Sequence, residues 1–330
     1  MGCRLFARRR GACADSLIKA GWGRLLGALA VRGRWGSGRR RSSVVPMRRV
    51  LALATLAATA VGVVPAASVA HGAGFTFPRQ FAVPQGGNQQ GLAYGDGRFY
   101  VAFDLDGKGS ARIVAYDAAG HEVRRSGGLP LGHAAELSYR QANGNLYVAD
   151  GTPGRPCRVT VVDMRQNPPR IVRRYDFSAL GTGGMVAIDN ARDRMVVTAG
   201  PAGGPFTVAF VGMDGRVQRR FTSRVPGVRQ GLEVVAGQIA LYTSAPDLSS
   251  NTLTLMSDTG KVARAIRVPV AREGEGLAVN AKTRQLYVGF GHPNAVHRMS
   301  PALPAPSDTK LPASDAEFGT GTTADARGTP

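Results

Sequence analysis

Cysteine and tryptophan are scarce in this 330-residue chain, and both are concentrated where they matter least to a folded domain. Cys3, Cys13, Trp22 and Trp35 all lie in the first 46 residues, leaving Cys157 alone beyond them. A single cysteine excludes an intramolecular disulfide framework, so an exported protein of this kind has to stand on its hydrophobic core. No apolar run reaches the roughly 20 residues that a membrane-spanning helix requires. The 3.6-residue periodicity of helical repeats is missing after residue 70. A nucleophile elbow, a phosphate loop, CxxC and HExxH are missing too, which excludes the enzyme classes that those motifs announce.

What the N-terminal region does contain is the layout of an export signal. Met47-Arg48-Arg49 precedes an apolar run over residues 50–64 and the small-residue stretch Pro65-Ala66-Ala67-Ser68-Val69-Ala70. Charged, hydrophobic and small segments in that order predict a signal peptide at 47–70, cleaved near Ala70, and an extracellular or cell-envelope location. The other reading of the run, a transmembrane anchor, falls short on length. Residues 1–46 form a basic extension with Asp15 as the only acid, compositionally foreign to the rest. Met47 as the true start accounts for it, whereas a nucleic-acid arm or an organellar transit peptide suits a downstream signal poorly. Without residues 1–70 the chain keeps 29 of its 42 basic and 21 of its 22 acidic residues, a net charge of +8 in place of +20. Only Lys108, Lys261, Lys282 and Lys310 of those bases are lysines.

Beyond residue 70 one pattern recurs five times, a small or polar opening followed by two short strands of apolar alternation. Its copies run from Gln90-Gly91-Leu92, Glu136-Leu137, Gly184-Met185, Gln230-Gly231-Leu232 and Glu275-Gly276-Leu277. Taking Gly91, Glu136, Gly184, Gly231 and Gly276 as equivalent gives spacings of 45, 48, 47 and 45 residues. A period in the mid-forties built of short strands matches one four-stranded propeller blade. Third and fourth strands bracket polar turns such as Asp117-Ala118-Ala119-Gly120, Asp214-Gly215 and Asp258-Thr259-Gly260. The fold class is therefore all-β, a five-bladed β-propeller over residues 71–300 with a disordered Pro, Ala, Ser and Thr-rich tail at 301–330. The fifth unit lacks its last strand, and residues 75–83 supply a spare one, so the expected ring closes through the N-terminus; a six-bladed ring or an open array is the alternative.

Arginines cluster on the expected outer strands: Arg124, Arg125, Arg170, Arg173, Arg174, Arg216, Arg219, Arg220, Arg264 and Arg267. Charge on exposed edges discourages pairing between molecules, and a basic girdle for anionic polymers is the functional alternative.

The first strand of each blade lines a propeller's centre, so residues at its start converge at one mouth. That places Gln90, His133, Glu136, Gln230, Glu233 and Glu275 together as a ligand-binding set, with Gly183, Gly184 and Glu273 beside them. Glu136, Glu233 and Glu275 are the candidate metal ligands, and Ca2+ is the cation an oxygen set of this kind takes. The plainer account pairs these side chains with backbone, arginine or solvent. His133 and Glu136 replace the plain Gln-Gly or Glu-Gly opening and are the candidate base and orienter for hydrolysis or lyase chemistry. His292 and His297 are weaker candidates.

Asn145-Leu146-Tyr147-Val148-Ala149-Asp150-Gly151, Gln285-Leu286-Tyr287-Val288-Gly289 and the Gln-Gly-Leu openings resemble exported bacterial propellers with NHL-like or YVTN-like blades, over residues 89–299. The Gln-Gly openings with Gly132-His133-Ala134-Ala135-Glu136 also resemble cell-surface propellers near the helveticin-J-like group. The residues that open the repeats make the first expectation a binding module for a small molecule, glycan or cell-wall polymer, with no specific nucleic acid, no membrane span in the mature chain and a monomeric state. The gluconolactonase class departs at its metal site, which needs a Glu, two Asn and an Asp where this chain offers glutamates and glutamines. A metal-assisted hydrolase or lyase at the same mouth is the second expectation.

Overall fold

A computed structural model describes residues 74–84 and 87–304. The basic extension at 1–46, the signal peptide at 47–70 and all but the first four residues of the expected tail lie outside the described residues.

Five four-stranded antiparallel sheets make up the fold. The outermost strand of the last blade comes first in the chain, β1 (Arg79–Ala82). Blade one is β2 (Asn88–Gly95), β3 (Arg98–Asp104), β4 (Ala111–Tyr116) and β5 (Glu122–Arg125). Blade two is β6 (Glu136–Arg140), β7 (Asn145–Ala149), β8 (Arg158–Asp163) and β9 (Arg170–Asp176). Blade three is β10 (Met185–Asp189), β11 (Arg194–Ala199), β12 (Phe206–Gly212) and β13 (Val217–Ser223). Blade four is β14 (Val228–Val235), β15 (Gln238–Ser244), β16 (Asn251–Met256) and β17 (Val262–Val268). Blade five is β18 (Gly274–Asn280), β19 (Gln285–Phe290), β20 (Ala295–Arg298) and then β1.

The first strands pack in a closed circuit, β2 on β6, β6 on β10, β10 on β14, β14 on β18 and β18 on β2. Their backbones nearly touch. A Cβ on Gly91 would lie 2.8 Å from the backbone of Glu136 and Leu137, one on Gly231 2.8 Å from Leu277 N, and one on Gly276 2.4 Å from Leu92 N. Glycine at these places is a requirement of inter-strand distance. The third blade corrects the repeat alignment by one residue. Val186 pairs with Val197 as Leu137 pairs with Val148, so Met185 stands where Gly91 stands. Gly184 instead turns the chain ahead of β10 at φ +124°.

Because blades are stacked face to face, the apolar core is divided into five clusters, one between each pair of neighbours. Leu137, Tyr139, Leu146 and Val148 meet Tyr100, Ala102 and Ile113, for example, between blades one and two. No blade owns a core, so none can be stable alone.

The ring closes as expected. Phe81 pairs with Val296 and Ala82 with Ala295, and Thr76 and Ser300 exchange backbone hydrogen bonds of 2.7 and 2.8 Å. Pro78, lacking an N–H, sits where only its carbonyl is used, accepting from Arg298 N–H at 2.9 Å. The ring of Phe81 packs on Phe99 and Tyr116, with centroids 5.2 and 5.9 Å away.

The outer arginines have a finer role than charge alone. Arg124, Arg173, Arg219 and Arg264 occupy one equivalent position, beside the bulge that each fourth strand forms on its third. Arg124 donates to Gln166 O, Arg173 to Met213 O and Asp214 O, and Arg219 to Asp258 O, each time reaching the outer hairpin of the next blade. Arg264 meets the N-terminal segment instead, over the Phe75 ring at 4.8 Å. Blade five has Gln80, which donates to Ala118 O in blade one at 3.2 Å.

Deleting residues 74–84 should lower the urea unfolding midpoint severely, because it removes a strand and one wall of the seam between blades five and one. Phe81→Ala should cost about 3–5 kcal/mol, the usual loss for truncating a buried phenylalanine. Equilibrium unfolding followed by circular dichroism checks both; an unchanged midpoint for the deletion would show that the ring closes by another route.

Candidate functional site

At the mouth where the first strands begin, three blades carry a register shift against their second strands, at Gln89/Leu92, Arg229/Gly231 and Gly274/Leu277. Gln90, Gln230 and Glu275 stand just ahead of the three axial glycines. A bulge inserts a residue and re-aims its side chain, so three of the predicted residues share one structural cause. Gln90 and Glu275 are buried and Gln230 is half-buried, its amide donating to the exposed Glu273 at 3.2 Å. Burial, and then the charge of Glu273, push the Glu275 carboxyl well above the ordinary glutamate range.

His133 stands on the same side of the ring between blades one and two, on a loop that Ala134 turns with φ +53°. Its Nδ1 lies 2.7 Å from Asp104 Oδ2 at the end of β3, and its backbone N–H donates to Asp150 Oδ1 at 3.3 Å. Asp104 is itself fixed by accepting the N–H groups of Asp106 and Gly107. The structure therefore gives His133 a carboxylate orienter, and it is Asp104 rather than Glu136.

Glu136 occupies the axis. It takes the place held by glycine in blades one, four and five, and its side chain crosses from blade two to within 3.5 Å of Leu277 N in blade five. The N–H groups of Leu232 and Leu137 also stabilise it, while Oε2 has no partner among the described residues. Two positions further along the strand, Ala93, Ser138, Ala187 and Ala278 form a layer of small residues in which Glu233 is the fifth member. Ile188 N–H donates to Ser138 Oγ at 2.9 Å, and the Ser138 hydroxyl lies 3.3 Å from Glu233 Oε1. Val234 N–H reaches Glu233 Oε2 at 3.2 Å. Burial is the main cause raising both carboxyls well above their ordinary range, and Glu233 raises Glu136 further by repulsion. The centre of the ring is filled at this level, and Glu233 opens toward the opposite mouth.

That opposite mouth holds a cavity of about 210 Å³ between the first hairpins of the blades. Tyr94, Tyr139, Gln141, Asn190 and Val279 line it, and Glu233 contributes a carboxyl beside them. The rings are held rigidly. Tyr94 stacks on Tyr287 and Tyr139 on Tyr100, with centroids 5.6 and 5.8 Å apart, and the Tyr139 hydroxyl donates to Asp96. Asn190 ties two blades together by donating to Tyr139 O and accepting from Gln141 N–H, at 2.9 and 2.8 Å. Gly95 leaves the space that the Tyr139 ring fills.

The predicted set is thus distributed over three places. Gln90, Gln230, Glu275 and His133 are at one mouth, Glu136 is on the axis and Glu233 faces the other mouth. Sequence reasoning missed Asp104, Tyr94, Tyr139, Gln141 and Asn190. The two tyrosines were within reach of it, since each ends the same opening motif, Leu92-Ala93-Tyr94 and Leu137-Ser138-Tyr139. His297 is buried at the closing seam, its Nδ1 2.8 Å from Phe77 O, and burial lowers its proton affinity. Cys157 is buried and its thiol is pushed up to about 12, chiefly by that burial. Among the described residues no group of three or more His, Cys, Asp or Glu side chains converges on one metal position, and no helix is long and apolar enough to cross a membrane.

No protein-family model and no curated protein sequence matches the chain. Among solved structures it is similar to Kuenenia stuttgartiensis hydrazine synthase, at 18% identity, 61% coverage of each chain and a TM-score of 0.40. A chain of a mitotic checkpoint complex gives 14% identity, coverage of 63% of this chain and 60% of that one, and a TM-score of 0.36. Raptor of Chaetomium thermophilum gives 15%, 64%, 20% and 0.37 in the same order. This chain spans about three fifths of the first two and a fifth of the third, and at such TM-scores the likenesses carry no functional argument.

The buried carboxyls impose a pH dependence with a definite sign. Glu136, Glu233 and Glu275 hold protons more tightly folded than unfolded, so their stabilising contribution is complete below the ordinary glutamate pKa of 4.5 and is lost as pH rises through their raised values. Asp163, Asp176 and Asp193 act oppositely below pH 4, and His297, whose proton affinity burial lowers, acts oppositely as pH falls below the ordinary histidine value of 6.5. Because His297 and Glu275 are common to both proteins, urea midpoints of the intact chain should fall relative to those of Glu136→Gln/Glu233→Gln as pH rises from 5 to 8. Parallel slopes for the two proteins would contradict the burial of these groups.

Proposed function

We propose that the protein is an exported, non-catalytic binding module of the extracellular space or cell envelope, which takes a small neutral polar ligand, such as one unit of a glycan, into the mouth bordered by Glu233. The cavity carries this reading. Rigid tyrosine rings offer an apolar platform, and amides with a buried carboxyl of raised proton affinity offer donors and acceptors, the combination that a sugar's C–H face and hydroxyls require. The Asp189 carboxylate that also lines the cavity is already paired with Arg192 and Arg194, at 3.2 and 3.1 Å, which favours a neutral ligand over a charged one. Support for export comes from the signal layout at 47–70 and from the likeness of the Tyr-Val blades to exported propellers.

The second reading is a hydrolase or lyase, with or without Ca2+, working at the mouth of His133. A specific observation favours it: the 2.7 Å contact with Asp104 fixes the imidazole by Nδ1 and leaves Nε2 to serve as a base. Ca2+, if used, would draw on Glu275 and its neighbours at that mouth.

Titration of the intact chain against a panel of neutral oligosaccharides, by calorimetry, should give binding that Glu233→Ala and Tyr94→Ala each weaken at least tenfold and His133→Ala leaves unchanged. Turnover of any panel member that His133→Ala abolishes, with or without added Ca2+, would replace the binding reading with the catalytic one. N-terminal sequencing of material secreted by the producing cell should begin near His71; recovery of Met1-Gly2-Cys3 on that material would refute the export assignment.

A further inference from the structure

Three successive outer strands, β9, β13 and β17, carry seven arginines, Arg170, Arg173, Arg174, Arg219, Arg220, Arg264 and Arg267, against the single acid Asp176. The same strands hold no lysine and no glutamate. Asp176 faces Arg158 at 3.7 Å, so it does not offset the strand arginines. The strands are not isolated edges but a continuous arc, because Arg173 and Arg219 each reach the outer hairpin of the next blade. Those two, with Arg264 over Phe75, are committed to holding blades together. Arg170, Arg174, Arg220 and Arg267 are exposed and have no partner among the described residues.

Edge protection accounts for some charge on an outer strand, but charges of both signs would serve it equally. Arg219 is paired with the Asp258 carboxylate at 3.2 Å, but arginine repeated over three blades still leaves an excess of one sign that the ion pairs do not cancel. We propose that this arc is a binding surface for a flexible single-chain anionic polymer whose charges lie on phosphodiester or phosphate groups. Guanidinium forks grip phosphate oxygens in pairs, which favours phosphate over an evenly spread carboxylate charge. The surface has nothing with which to read nucleic-acid bases. Its exposed large apolar side chains are Val172 and Val217, with no exposed aromatic ring on these strands for a base to stack on. An arc on the outside of a ring also lacks the helix or ribbon that enters a duplex groove. The surface is separate from the Glu233 mouth, so the two assignments stand or fall independently.

The test uses the full chain and linear inorganic polyphosphate as the probe, with affinity measured by calorimetry over a series of salt concentrations. Binding should weaken linearly on a logarithmic salt scale. Arg174→Gln/Arg220→Gln/Arg267→Gln should lower affinity at least tenfold and reduce the salt slope by about 2, roughly 0.7 for each phosphate that is no longer neutralised. The triple exchange to lysine should keep the slope, which separates charge from any effect on folding. Three exposed arginines elsewhere, Arg98, Arg155 and Arg298, changed to Gln serve as the control. Equal losses in both Gln triples would reduce the effect to net charge and overturn the proposal, as would an intact chain that does not bind polyphosphate. Tighter binding of duplex DNA than of polyphosphate at equal phosphate concentration would overturn it in favour of a nucleic-acid surface.

Discussion

Five strands that meet around one axis leave, in three blades, no room for a side chain against the adjoining strand, and this crowding governs the rest of the structure. Gly91, Gly231 and Gly276 stand where a Cβ would enter the backbone of the adjoining strand. Close approach at the centre brings whole sheets face to face, so the apolar residues of every blade are buried by its neighbours and not within the blade. Stability is then a sum of interfaces around a closed circuit. Leaving one blade a strand short would expose one of five cores, which explains why residues 79–82, ahead of the first blade in the chain, complete the last sheet.

The crowding also explains the buried carboxyl. Blade two has Glu136 where the ring would take glycine, and the only direction left for its side chain is across the axis. Backbone N–H groups of other blades meet it there. An ionised carboxylate in that setting is costly unless it is fully hydrogen-bonded, and Oε2 has no partner among the described residues. The raised proton affinity of Glu136 and of Glu233 is the same crowding expressed as chemistry. With the centre filled, the two mouths are chemically separate. One has the bulged amides and the His133–Asp104 pair, the other tyrosines, amides and Glu233.

The architecture was legible in the sequence because the second strand of every blade is a short run of buried apolar residues at a near-constant spacing, and because blades one, four and five place a glycine at the axis. Residues 75–83 were legible as the closing strand for a related reason: Phe75, Phe77, Phe81 and Val83 alternate next to a proline that only an outermost strand tolerates. Glu233 was visible as an anomaly among Ala93, Ser138, Ala187 and Ala278, but the side it faces was not. Which mouth a residue serves depends on the bulge that lengthens β2, β14 and β18 relative to β6 and β10, and a bulge leaves no fixed sequence mark. The Gly184 alignment slipped by one residue because blade three puts Met185, not a glycine, at the axis. Asp104 was hidden because its partnership with His133 joins the end of one blade's second strand to the loop opening the next.

The choice of arginine over lysine on the outer strands follows from what those side chains span. Arg173 gives one nitrogen to Met213 O and another to Asp214 O while its guanidinium lies 4.3 Å over the Tyr175 ring. Arg219 combines a bond to Asp258 O with a place 4.7 Å over Phe210. A lysine ammonium is a point charge, able to meet one such demand but not a planar fork and a ring face together. The aromatic partner is repeated as well. Tyr175 packs over Gly215 and Phe221 over Gly260, as Phe81 packs over Gly120, so each turn glycine receives a ring from the preceding blade. Adjacent blades are thus clasped at the rim by a guanidinium, an aromatic ring and a turn that has no side chain of its own. What remains after that clasp is Arg174 and Arg220, each next to a clasping arginine, together with Arg170 and Arg267, whose charge no contact among the described residues consumes.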